Sequence, residues 1–282
     1  MNTLRLQPSF VARLAYDVYS LTGASDLESA YKQLNNDYKG VFDISENQLI
    51  KGKTGAFKPI RSRTAFGFTI TGKNQLKNHA FILLRGSHYL ADWLTNLNAT
   101  CSRSAFNQLV HDGFNQAFKS MMPQIAKFME TSVASEGIHT IHCVGHSLGG
   151  ALASLCAEWI KANYGRRSLT YTFGSPRVGL EGFASNSTRE LGGDSMFRAY
   201  HKTDVVPYLP VWPYVHTPSN DACYYLPSPG VLPGAKYHSM SEYMTSVRDK
   251  SWLALSAYRP ENKSDFSIAA WLKEEGWICS TG

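Results

Sequence analysis

The apolar run Ile141-His142-Cys143-Val144 passes into a helix-forming run, Ala151, Leu152, Ala153 and Leu155, through only six residues, Gly145-His146-Ser147-Leu148-Gly149-Gly150. A β-like run joined to a helix by a bare G-x-S-x-G leaves room for one connection, a sharp strand-to-helix turn. Glycine is required where a Cβ would meet backbone. The serine hydroxyl is carried to the end of the sheet, where a helix N-terminus aims N–H groups and positive dipole at it. This feature predicts an α/β protein with Ser147 as candidate nucleophile, its side chain exposed on the turn.

The rest of the chain fits that frame. Pro8 followed by Val11, Leu14, Ala15, Val18 and Leu21 predicts a helix. Ser25-x-x-Glu28 has the capping-box pattern for a second one toward Asp37. Phe66–Thr71, Ala80–Leu84, Ile138–Val144, Leu169–Phe173 and Met196–Tyr200 read as strands, and Val110–Glu130 and Leu148–Asn163 as helices, the former broken or kinked at Pro123. Ser264-Asp265 should cap a final helix ended by Gly276. Alternating strands and helices imply a mostly parallel sheet covered on both faces. Seven of the twelve prolines fall between Pro207 and Pro233, which predicts a long ordered loop of functional kind. With no repeat or linker, residues 1–282 read as a single domain, with 1–65 a helical segment packed on it.

Composition narrows the class. Hydrophobic residues are 43% and charged residues 18%, as in a globular protein with a large core. Apolar runs such as Ala80–Leu84 are far below the roughly 20 residues of a membrane-spanning helix. Met1–Phe10 lacks the apolar centre of a signal peptide, so synthesis in the cytoplasm, with any export by a leaderless route, is expected. Five scattered cysteines suggest neither a disulfide framework nor a zinc site, and Cys143 and Cys156 read as buried thiols. No metal ligand cluster and no cofactor motif is present. The net charge of +6 is uneven: Lys51–Arg103 holds nine Lys/Arg against Asp92 alone, a bias suited to lipid phosphates. No nucleic-acid-binding motif accompanies it, and no nucleic acid partner is expected.

Five segments in order, Leu84–Trp93 (LRGSHYLADW), Val110–Phe114 (VHDGF), Gly145–Gly150 (GHSLGG), Phe173–Gly179 (FGSPRVG) and Thr203–Pro207 (TDVVP), resemble the class 3 lipases, the fungal triacylglycerol lipase-like family. The resemblance runs roughly from Phe66 to Tyr243 and implies an α/β-hydrolase fold with a short lid helix and a Ser-His-Asp triad. Asp204, four residues past the strand Met196–Tyr200, matches the family's orienting carboxylate. After Ser147 only His201, His216 and His238 remain; His201 precedes Asp204 and breaks the expected Ser, Asp, His order. The family's base follows an extra strand, which the setting of His216 (WPYVH) resembles, so His238 is preferred and His216 stays as the alternative. His146 is expected to support the turn. The oxyanion donors implied are Leu148, through its backbone N–H, and Ser87, after the strand Ala80–Leu84. Tyr89, Leu90, Trp93, Leu94 and Leu97 share one helical face where the family carries its lid.

The expectation is therefore a serine carboxylester hydrolase acting on glycerolipids at a membrane or lipid interface, with phospholipid favoured by the basic stretch. An acyltransferase using the same triad and an inactive lipase-like binding module are the alternatives. A bacterial lipase effector would fit the absent signal peptide; its secretion machinery and immunity partner leave no motif in the sequence.

Overall fold

The computed structural model describes residues 5–23, 25–44, 48–53, 64–87, 100–135, 137–218, 223–228, 230 and 234–257. The lid residues Tyr89, Leu90, Trp93, Leu94 and Leu97, the final helix expected from Ser264, and Cys279 lie outside them.

Two helices, α1 (Pro8–Gly23) and α2 (Leu27–Asp37), precede three strands, β1 (Phe42–Asp43), β2 (Leu49–Gly52) and β3 (Thr64–Gly72). There follow β4 (His79–Leu84), the hairpin strands β5 (Cys101–Arg103) and β6 (Leu109–His111), α3 (Asp112–Phe128), β7 (Thr140–His146), α4 (Leu148–Tyr164) and β8 (Ser168–Phe173). The chain closes with α5 (Glu181–Leu191), β9 (Met196–His201), β10 (Cys223–Leu226), α6 (Met240–Val247) and α7 (Trp252–Ala257).

In the main sheet β4, β7, β8, β9 and β10 lie side by side and parallel, with β3 antiparallel to β4 and both β1 and β2 antiparallel to β3. Strand alternation sends Phe81 and Leu83 to one face and Ala80, Ile82 and Leu84 to the other. The first face packs on α1, α2, α6 and α7, and the second on α3, α4 and α5. Being covered on both sides, β4 and β8 are buried at every residue, and Ala80–Leu84 of β4 is a continuous apolar run. This is the α/β-hydrolase architecture expected, and every parallel strand points its C-terminal end at one edge.

Four local expectations need correction. The cap of α2 is Asp26 rather than Ser25: its Oδ1 accepts the N–H groups of Glu28 and Ser29, which a carboxylate at that position reaches directly. Of the break or kink expected at Pro123, the break does not occur: the proline stands inside α3 without ending it. An internal proline costs about 3 kcal/mol, and burial of Phe118, Met121, Ile125 and Phe128 along the same face, at roughly 1.5–3 kcal/mol each, outweighs that. In the proline-rich stretch the strand is Cys223–Leu226, not the segment around His216, where Val215 makes a single bridge to Gly179. The stretch is also not loop throughout, since Val206–Tyr208 is a 3-10 turn.

The segment before α1 meets β8 and α7 in the first core. Leu6 donates its N–H to the Tyr171 hydroxyl at 3.2 Å and accepts the indole N–H of Trp252 at 2.7 Å. At the opposite edge of the sheet from Ser147, His79 Nδ1 and His142 Nε2 share a hydrogen bond of 2.9 Å, and His142 is stacked between Phe81 and Tyr171. Burial, with His79 alongside, holds His142 protonation well below the ordinary imidazole range; burial also lowers His79, His146, His201 and His216. The unfolded chain therefore takes up protons first as pH falls through about 6.5. The stability these neutral imidazoles contribute is fully present above that pH and lost below it. Urea unfolding should give a larger unfolding free energy at pH 8 than at pH 5, and equal values would show that these histidines titrate normally in the fold.

Candidate active site

The turn predicted around Ser147 joins β7 to α4. Ser147 sits at φ 58° and ψ −132°, a conformation a non-glycine residue holds only when its surroundings impose it. The neighbouring glycines are what allow this. A Cβ on Gly145 would lie 2.0 Å from the Gly149 carbonyl oxygen, and one on Gly149 would lie 2.1 Å from that of Leu84. The strand, the helix and the end of β4 thus touch through backbone alone. Leu148 is the first residue of α4, where an N–H has no partner inside the helix and can face an anion.

Contrary to expectation, Ser147 is not exposed: only 3% of its surface is accessible. The backbone at Gly86 packs against it, so near that a Cβ there would sit 2.6 Å from Ser147 Cβ.

Asp204 follows β9 and is fully buried. Its Oδ2 accepts the His238 Nδ1–H at 2.7 Å and the Tyr243 hydroxyl at 2.5 Å, and its Oδ1 accepts the Val206 N–H at 3.0 Å. With Nδ1–H donated to the carboxylate, the neutral His238 ring carries a lone pair on Nε2. That nitrogen is buried and has no hydrogen-bond partner among the described residues. The His238 ring lies 4.6 Å, centroid to centroid, from His146, the residue before Ser147. Tyr243 cannot ionise here, since burial and then the Asp204 charge push its phenol far above the ordinary range.

The structure thus brings Asp204 and His238 together and seats them beside the elbow. It does not bring His216 there. His216 is buried against Tyr200, with burial and then the Arg198 and Arg177 charges holding it neutral. His201 is turned toward the Pro227 carbonyl at 3.0 Å and packs on Tyr243.

Ser87 lies just beyond the end of β4. The Arg85 guanidinium donates to the Gly86 carbonyl at 2.6 Å and to Ala65 at 2.8 Å, with its face on the Phe66 ring. A trans peptide points its C=O and N–H in opposite directions, so this contact turns the Ser87 N–H away from Arg85. The Gly86 N–H is already donated to the Tyr19 hydroxyl at 2.9 Å, which leaves Ser87 as the donor of this segment. Arg85 is consequently buried and is no part of the surface charge that the basic stretch Lys51–Arg103 suggested.

Sequence reasoning missed Tyr19, Arg85 and Tyr243 as site residues. Tyr243 had one usable signal, its place five residues after His238 in the helix that follows. Tyr19 had none, because it is one aromatic on an otherwise ordinary amphipathic helix.

Residues 81–214 match the Lipase (class 3) family. A secreted mono- and diacylglycerol lipase 1 from Fusarium solani is 32% identical over 163 residues, covering 56% of this chain and 47% of that protein. Toxin TseL of Vibrio cholerae is 36% identical over 105 residues, covering 36% of this chain and 15% of the toxin. The chain thus spans about half the length, or less, of these curated relatives. Among solved structures, M37 lipase superposes with a TM-score of 0.65 at 17% identity, over 90% of this chain and 98% of that one, which shows the shared fold. The matching segments include the elbow, the end of β4 and the region of Asp204, and over residues 81–214 the chain is similar to the class 3 lipase family.

Proposed function

We propose that this chain is a serine carboxylester hydrolase acting on glycerolipids, with Ser147 as nucleophile, His238 as base and Asp204 as orienting carboxylate. The observation that carries it is the buried Asp204–His238 pair beside a strained, helix-capping serine. Ser147 Oγ attacks the acyl carbonyl while His238 Nε2 takes its proton. The oxyanion that forms is met by the N–H groups of Leu148 and Ser87. Collapse of the tetrahedral adduct expels the alcohol, which leaves with the proton from His238, and water releases the acid by the same route. The similarity to a mono- and diacylglycerol lipase favours an acylglycerol ester, and that to Toxin TseL favours a lipid-directed toxin as the physiological setting.

Two features favour action at a lipid surface. The near-complete burial of Ser147 calls for a cover that opens, and the segment of Tyr89, Leu90, Trp93, Leu94 and Leu97 is assigned that role. In the loop after Asp204, Trp212 is 83% exposed and Val211 50%, an apolar tip on the edge of the sheet where Ser147 lies. Exposing large apolar side chains to water costs roughly 1.5–3 kcal/mol each. A lipid surface removes that penalty and shifts the population toward the open form.

A digest of mixed mono-, di- and triacylglycerols and phospholipids, with product analysis, tests the reading. Fatty acid release should rise above the aggregation threshold of the substrate, and Trp93→Ala should blunt the rise. Fatty acid transfer to an added alcohol in preference to water would make the chain an acyltransferase. Simple saturation through the threshold, unaffected by Trp93→Ala, would remove the lid assignment. Absence of any acyl product, with Ser147 unlabelled by a fluorophosphonate, would leave a lipase-like binding module.

A further inference from the structure

The N-terminal helix α1 reaches the catalytic edge at one residue. The Tyr19 oxygen accepts the Gly86 N–H at 2.9 Å and lies 2.7 Å from His146 Nδ1, and His146 Nε2 lies 2.7 Å from the His238 carbonyl oxygen. The polarity of this chain is determined throughout. A carbonyl only accepts, so His146 carries its proton on Nε2 and donates it to His238. His146 is held neutral by burial, with His238 beside it, so its Nδ1 is bare and must accept. The Tyr19 hydroxyl therefore donates to His146 and offers its lone pair to Gly86. Burial keeps that phenol protonated.

Three segments that share no strand or helix are joined by these bonds: the end of β4 before Ser87, the elbow at Ser147, and the turn that carries His238. A Cβ on Gly86 would lie 2.6 Å from Ser147 Cβ and 2.7 Å from the Tyr19 oxygen, so the chain of bonds passes directly behind the nucleophile. Arg85 holds the Gly86 carbonyl from the other side. The peptide that presents the Ser87 N–H is thus clamped at its carbonyl by Arg85, and the residue's own N–H is clamped by Tyr19.

We propose that Tyr19 is a positioning residue for acyl transfer: through Gly86 and His146 its hydroxyl sets the spacing between the Ser87 oxyanion donor, the nucleophile and the base. This rests on the hydrolase reading above. Tyr19 touches no reacting atom and acts only through its neighbours. The helix it stands on, outside the region 81–214 that matches the family, is then a working part of the active site.

Tyr19→Phe keeps the ring, which packs edge-on to His146, and removes only the hydroxyl. Losing an oxyanion donor outright costs about 10²–10³-fold in kcat, so a donor merely set loose should cost roughly 10–100-fold. On a soluble short-chain ester kcat should fall by that amount, with KM and the cooperative unfolding midpoint close to wild type. His146→Gln keeps a donor near the His238 carbonyl but cuts the link to Tyr19. Added to it, Tyr19→Phe should do little more, since groups in one network are not additive. The Gly86 amide should also exchange faster with solvent in Tyr19→Phe. Wild-type kcat in the variant, a loss accounted for by unfolded protein, strict additivity with His146→Gln, or unchanged Gly86 exchange would each overturn the positioning role alone. A wild-type chain that turns over no ester would instead overturn the hydrolase reading, and with it any role of Tyr19 in turnover.

Discussion

Ser147→Ala is expected to abolish ester hydrolysis, with kcat lower by roughly 10⁴–10⁶-fold and the fold unchanged. The magnitude follows from the way such groups act as a unit: without the nucleophile the base has nothing to activate, and only the oxyanion donors and substrate binding still contribute. The fold should survive because alanine keeps the Cβ that packs against Gly86, and the constraints on the turn come from Gly145 and Gly149 rather than from the hydroxyl. Removing a side-chain oxygen from φ 58° relieves none of the backbone strain and adds none. Steady-state turnover of a soluble ester, measured beside circular dichroism, reads both halves of the result. Turnover near the wild-type rate in folded Ser147→Ala would show that another group performs the chemistry.

His238→Ala is the second large expected effect, a loss of about 10⁴–10⁶-fold, since it removes the group proposed to take the serine proton. The variant should stay folded. Asp204 keeps two of its three hydrogen bonds, from Tyr243 and from the Val206 N–H, so the buried carboxylate is not stranded. His216→Ala is the control. That imidazole is buried against Tyr200 and has no contact with Asp204, so its removal should lower stability, by about 1–3 kcal/mol for a packed side chain, and leave kcat of the folded fraction within about tenfold of wild type. The reverse ranking of the two variants would make His216 the base and would require the loop after Asp204 to rearrange before catalysis.

What could be read from the sequence, and what could not, divides along the range of the interactions. The strands and helices around the elbow were visible because each rests on its own periodicity, and the glycines at 145 and 149 advertise a close approach that no other residue permits. The pairing of Asp204 with one of two histidines was not decidable from spacing, because His216 lies within and His238 just after a proline-rich stretch with no regular period. It is settled in space by the direction in which the turn before α6 carries His238. Helix α5 and strand β10 went unread: α5 is polar with few apolar anchors, and β10 is four residues between prolines. The burial of Ser147 was invisible for a different reason, since it depends on a close contact with Gly86, which is remote in sequence.

The tie at Leu6 has a consequence for the order in which the molecule can assemble. That residue is bonded to Tyr171 and to Trp252, which are 165 and 246 positions away in the chain. Helix α1 therefore cannot complete these ties until residues through Trp252 have been made, which takes on the order of ten seconds or more at translation rates of about 5–20 residues per second. Until then its apolar face, Val11, Leu14, Val18 and Leu21, has no sheet to cover and is available to chaperones or to premature association.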